Sequence, residues 1–203
     1  MSHPDFFDDI PHVVLIDPLA VFLGASDNGI VDFSYHDAVK LAGHSCPTVA
    51  SAYWMTSLAL KALYEDHLPE RGAIRVDFRE GLESGVTGVV ANVVSMLTGA
   101  SGDGGFKGLG GRFGRRQLLY FNADIPLDIR FWRTDNRRWV DVATHLQHVA
   151  ASPEMPGLMQ LCVSGRATAI EQRQFGLLWQ ERVRRILIEH RDDPEVFVLR
   201  RSP

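Results

Sequence analysis

From Val49 to Tyr64 the chain places apolar side chains on every side of a helix: Val49, Ala50, Tyr53, Trp54, Met55, Leu58, Leu60 and Leu63 leave no polar face. A helix of that kind belongs in the middle of a domain, covered all round. The residues ahead of it punctuate the chain. Ser34, with Asp37 three positions later, reads as a capping pair and predicts a short helix from Tyr35 to Ala42, with Gly43 as its left-handed stop. Pro47 suits the first position of the long helix that follows.

Elsewhere the period shortens to two. His12–Ile16 reads as a buried strand ended by Asp17-Pro18, and Asn28-Gly29 as a turn into an extended Ile30–Phe33. Ile74–Glu80 alternates apolar and charged residues, as a half-exposed strand does. Val86–Leu97 is predicted helical by its length, with Thr98-Gly99 closing it, although its valines would also suit a strand. Gln117–Phe121 and Leu127–Trp132 are expected to form a hairpin around Asp124–Pro126, and Trp139–Ala150 a helix. After a hinge at Ser152–Gly157, Leu158–Val163 is expected as a strand carrying Cys162 as a small buried hydrophobe. Thr168 with Glu171 then opens a helix to His190, and Glu195–Leu199 closes the chain as a strand. The expected class is α+β, a central buried helix packed on a mostly antiparallel sheet, with a core over residues 1–150 and a strand–helix–strand extension over 151–203.

Composition narrows the partners. With 203 residues and a net charge of −4, the chain is long enough for a substantial core and is not a basic nucleic-acid binder. No apolar run reaches the roughly 20 residues of a membrane span, the longest being interrupted by Lys61. Met1–Pro11 carries three aspartates and no basic stretch, unlike a secretory signal. A cytoplasmic protein with no nucleic-acid or membrane partner is expected. The two cysteines, Cys46 and Cys162, are then expected as free thiols.

The candidate chemistry gathers at Gly43-His44-Ser45-Cys46-Pro47. Cys46 falls at or next to the N-cap of the long helix, where free N–H groups and the positive end of the helix dipole favour an anionic sulfur. Histidine and cysteine two residues apart are donors for a divalent transition metal, zinc first among them. A catalytic zinc takes three protein ligands, and His36 is the nearest further candidate, provided the chain folds back; carboxylates or a second copy of the chain are the alternatives. A third possibility is a catalytic or redox thiol without metal. His145 and His148, three apart on the expected helix, read as an exposed pair. Gly99–Gly114 is so rich in glycine that its amides can approach a ligand, but it matches neither a Walker A loop nor a dinucleotide fingerprint. Ser101, Asp103 and Lys107 on this loop are candidate contacts for a small-molecule substrate.

Leu41-Ala42-Gly43-His44-Ser45-Cys46-Pro47, the apolar helix, and then Val94-Ser95-Met96-Leu97-Thr98-Gly99-Ala100-Ser101-Gly102 resemble the FmdE family, named for a component of formylmethanofuran dehydrogenase, over about residues 30 to 125. That family opens with a Gly-His-x-Cys-Pro motif and later carries a helix ending in a Leu-Thr-Gly-Cys-Thr-like turn. The resemblance implies an FmdE-like α+β core, a homodimer, and a metal near His44 and Cys46. The chain departs from the pattern at Ala42, Asn92 and Ala100, where the family has histidine, aspartate and cysteine, and it lacks the C-terminal zinc finger of some members. The expected function is metal binding with action on a small molecule beside the glycine loop; the alternative is metal binding or delivery without turnover.

Overall fold

Residues 3–202 are described by a computed structural model. Val13–Ile16 (β1) and Ile30–Phe33 (β2) pair antiparallel, with Val13 opposite Phe33 and Ile16 opposite Ile30. Between them the Asp17 carboxylate caps the five-residue helix Pro18–Phe22 (α1), accepting from the amides of Leu19 and Ala20 at 3.0 and 3.4 Å. Helix α2 spans Tyr35–Ala42 as expected. The Ser34 amide donates to the Asp37 carboxylate at 2.9 Å, and Gly43 stops the helix at φ 76°.

Helix α3 runs from Pro47 to Tyr64, and fourteen of its 18 residues are buried. Its polar atoms are satisfied inside, as burial demands. Tyr53 Oη lies 2.8 Å from the Phe33 carbonyl and 3.0 Å from that of Pro11, Thr56 Oγ1 donates to Ala52 O at 2.7 Å, and Trp54 Nε1 donates to Arg191 O at 2.6 Å.

The strands Ile74–Phe78 (β3), Leu119–Tyr120 (β4), Ile129–Arg133 (β5), Trp139–Thr144 (β6) and Phe197–Arg201 (β7) form one sheet in the order β4-β3-β5-β6-β7. Only β3 and β4 run parallel; every other pairing is antiparallel. Helix α3 lies across β5, β6 and β7, with Thr87–Thr98 (α4) beside it. The buried face is Val76, Phe78, Phe131, Val140 and Val142. On the opposite face Arg130 pairs with fully buried Asp141 and lies over the rings of Trp132 and Trp139. The α+β class, with its central buried helix on a mostly antiparallel sheet, is the one expected. Among the described residues no helix is long and apolar enough to cross a membrane.

Three elements differ from expectation. The helix predicted over Trp139–Ala150 is instead β6 followed by a short 3₁₀ turn, Leu146–His148. Its apolar content suited either state, but Val140 and Val142 alternate with the ion-paired Asp141, which is the period of a strand. The strand predicted over Leu158–Val163 lies inside the helix Met155–Val163 (α5). Pro156 sits in its first turn, Leu158, Leu161 and Cys162 share the inward side, and Cys162 is only half-buried. The predicted hairpin of Gln117–Phe121 with Leu127–Trp132 does not form. α4 and the glycine loop carry the chain back over the sheet in the direction of β3, so β4 adds in parallel to one edge of β3 while β5 takes the other.

The extension over 151–203 is therefore helix–helix–strand. The Thr168–Glu171 capping box opens Ala169–Arg184 (α6), a π-helical turn over Arg185–Glu189 ends it, and β7 completes the sheet next to β6. Since α3 is central, Leu60→Ala, at a side chain 1% exposed, should lower unfolding free energy by about 3 kcal/mol in urea denaturation. Leu177→Ala on α6, 60% exposed, should change it by less than about 0.5 kcal/mol.

Candidate functional site

Gly43 turns the chain out of α2, and Cys46 turns it into α3 with extended backbone at φ −149° and ψ 167°. The Cys46 side chain is the N-cap, its Sγ accepting from the Val49 amide at 3.4 Å in a buried position. Between them Ser45 is fastened from several directions. Its carbonyl accepts from Trp179 Nε1 and Gln180 Nε2 on α6 at 3.1 and 3.2 Å. Its hydroxyl donates to Gln180 Oε1 at 3.0 Å and lies 3.0 Å from the Tyr35 hydroxyl. Burial pushes the Tyr35 phenol well above its ordinary value, so it stays a neutral hydrogen-bond partner.

His44 is exposed, and its Nδ1 lies 2.9 Å from the Ala42 carbonyl. A carbonyl only accepts, so in this contact Nδ1 is the donor, which leaves Nε2 without a protein partner among the described residues. The other metal-ligand candidate goes elsewhere. His36 stands at the opposite end of α2, about 10 Å of helix from Gly43 at ~1.5 Å rise per residue. Its Nε2 lies 3.2 Å from Asp8 Oδ1, and its ring packs against those of His3 and Phe7. Among the described residues no group of three or more histidine, cysteine, aspartate or glutamate side chains is placed to hold a metal ion. His145 and His148 flank the 3₁₀ turn rather than a helix face, with ring centroids 6.1 Å apart.

The glycine-rich segment after α4 doubles back on itself. Its two limbs are joined by backbone bonds from Ser101 N to Arg115 O, Leu118 N to Ser101 O and Arg115 N to Phe106 O, at 2.9, 3.0 and 2.8 Å. Gly105 lets them meet, since a Cβ there would come within 2.9 Å of the Arg116 backbone. The loop borders a cleft of about 450 Å³ shared with Leu41 of α2 and with Asn92 and Ser95 of α4. Ser101 lines this cleft, whereas Asp103 and Lys107 are exposed on the loop and do not.

Beneath the loop lies an ion cluster that sequence reasoning missed. Asp17 Oδ1 accepts from Arg115 Nη2 at 2.6 Å and Oδ2 from Arg71 Nη1 at 3.0 Å. Arg71 also donates to the Met96 carbonyl at the end of α4. Burial alone would raise the Asp17 carboxyl, but the Arg71 hydrogen bond, the Arg115 charge and the Leu19 amide outweigh it and hold the group below its ordinary value. Asp17-Pro18 was visible as a strand end; its partner 98 residues away was not.

No family model and no curated protein matches the chain.

Because the folded carboxyl is depressed, the stability it contributes is complete above its unfolded value near 3.8 and is lost as pH falls toward the lower folded value. Asp17→Asn leaves two guanidinium groups without their carboxylate and should cost about 3 kcal/mol at pH 7. In urea titrations across pH, the gap from the wild type should narrow steadily below pH 3.8.

Proposed function

We propose that the chain is an FmdE-like metal-binding protein that holds a divalent transition metal, zinc first, through His44 and Cys46 and acts on a small molecule. The observation that carries the reading is the contact of His44 Nδ1 with the Ala42 carbonyl at 2.9 Å. With Nδ1 donating to the Ala42 carbonyl, Nε2 of this exposed residue is the nitrogen left for a ligand, and metal-ligating histidines commonly hold their other ring nitrogen in this way. Two residues on, the buried sulfur of Cys46 is held by a single long hydrogen bond to the Val49 amide. Imidazole and thiolate are donors zinc takes; in kind they fit, and in number they fall one short of the three protein ligands of a catalytic site.

The remaining positions would go to water, to a small-molecule ligand or to a second copy of the chain in a homodimer. The cleft lined by Leu41, Asn92, Ser95 and Ser101 is the compartment proposed for the small molecule. The short donor set favours a second reading, a metal-binding or metal-delivery protein without turnover, because a site with few protein ligands exchanges its ion readily.

Equilibrium dialysis against Zn²⁺ with elemental analysis should find one ion per chain. His44→Ala and Cys46→Ser should each weaken retention by at least about tenfold, the lower bound for losing even an outer-shell partner. Absence of stoichiometric metal would sink the proposal, as would full retention in both variants. Sedimentation with and without Zn²⁺ tests whether a second copy completes the site.

A further inference from the structure

On the other side of the ion cluster a second cleft, about 510 Å³, opens between the start of β3 and the outer limb of the glycine loop. Three arginines line it: Arg71, Arg112 and Arg115. Two carboxylates oppose them. Asp17 has both oxygens engaged by Arg71 and Arg115, and Glu70 stands exposed on the rim, so one positive charge is left over.

Two guanidinium groups have donors to spare. Arg112 is exposed, packs over the ring of Phe113 at 4.7 Å, and makes no ion pair among the described residues. The Arg115 side chain is only 8% exposed, and its Nη1 is a buried side-chain nitrogen without a hydrogen-bond partner. An unmade bond on a buried charged group is costly, so this nitrogen is a place where an acceptor belongs. The backbone is shaped around it. A Cβ on Gly72, which lines the cleft, would overlap Nη1, and one on Gly99 would approach it to 2.8 Å. Both glycines have left-handed backbone, at φ 91° and 75°, and their missing side chains leave the space that the guanidinium occupies.

We propose that this cleft binds a small oxyanion, the phosphate or carboxylate group of a small molecule, with Arg112 and Arg115 Nη1 as its donors and Arg71 holding the wall in place. Guanidinium forks match the planar and tetrahedral oxygens of these groups. The cleft shares Arg71 and Arg115 with the one proposed above for the small molecule, but neither His44 nor Cys46 lines it, and it does not depend on a metal there.

The test is a titration of the whole, ¹⁵N-labelled protein with sodium phosphate and, separately, with sodium malonate, each against sodium chloride at matched ionic strength. Saturable shifts of the Gly72, Phe113 and Gly114 amides are expected, with Kd on the order of 1 mM, as two or three charge-assisted hydrogen bonds supply. The tighter of the two anions identifies the group recognised. Arg112→Ala, at an exposed position, should weaken binding about tenfold, and Arg115→Lys, which keeps a cation for Asp17 but loses the fork, should weaken it at least as much. Arg138→Ala, far along the chain at an exposed pair with Glu65, should leave it unchanged. Shifts no larger than those with chloride overturn the proposal. An Arg112→Ala variant that binds like the wild type also overturns it, whether or not Arg115→Lys folds.

Discussion

A helix with fourteen of its 18 residues buried imposes its requirements on everything around it. Apart from a narrow stripe at Ser57, Leu58 and Lys61, helix α3 is covered: the sheet lies along one side, α4 along another, and the π-helical end of α6 across a third. Each polar atom it carries inward must find a partner before the domain can close. Tyr53 finds carbonyls in the β1–β2 region, and Trp54 finds the Arg191 carbonyl after α6. These bonds join the first and last quarters of the chain through one helix, which is why the C-terminal extension completes the central sheet instead of forming a separate body.

Where chemistry can occur follows from the same constraint. A helix this deeply buried has its candidate ligand chemistry at its N-terminal end. At the N-terminal end the thiol of Cys46 caps the backbone, and Ser45 is gripped by Trp179 and Gln180. The nearby exposed imidazole of His44 therefore stands on a fixed base rather than on a free loop. Asp17 performs the corresponding service on the far side of the glycine loop, where one carboxylate joins the cap of α1, the start of β3 and the end of the loop.

Local signals made much of this legible. The capping box at Ser34 and Asp37, the Gly43 stop, Pro47 at the head of α3 and the Thr168–Glu171 box are short-range chemistry, and each appears where the residues place it. Failures came where two periods competed or where partners were distant. Trp139–Thr144 is apolar enough for a helix, and only the pairing of Asp141 with Arg130 reveals its strand. Leu119 sits beside β3 because of a crossover that no local pattern encodes. For the site, the His44–Cys46 spacing was plain, whereas the contact of His44 with the Ala42 carbonyl needed the turn geometry, and the Arg115–Asp17 pair needed the whole fold.

The doubled glycine loop has a consequence for how the protein can change. Its neck is sealed by the bonds between Ser101 and Leu118, its flank is pinned where Phe113 meets Phe22 at 5.0 Å, and its tip is closed only by the reciprocal bonds of Leu109 and Arg112. Outward of Arg115, which the Asp17 pair ties to the domain, only the Phe113 contact and the Leu109–Arg112 bonds hold the tip. Closure entropy grows only with the logarithm of length, so doubling such a loop costs about 0.6 kcal/mol. The outermost residues, Gly110 and Gly111, have left-handed backbone at φ 54° and 77° that would strain any other side chain, so added length, and not substitution at these two positions, is the change the folding equilibrium registers least.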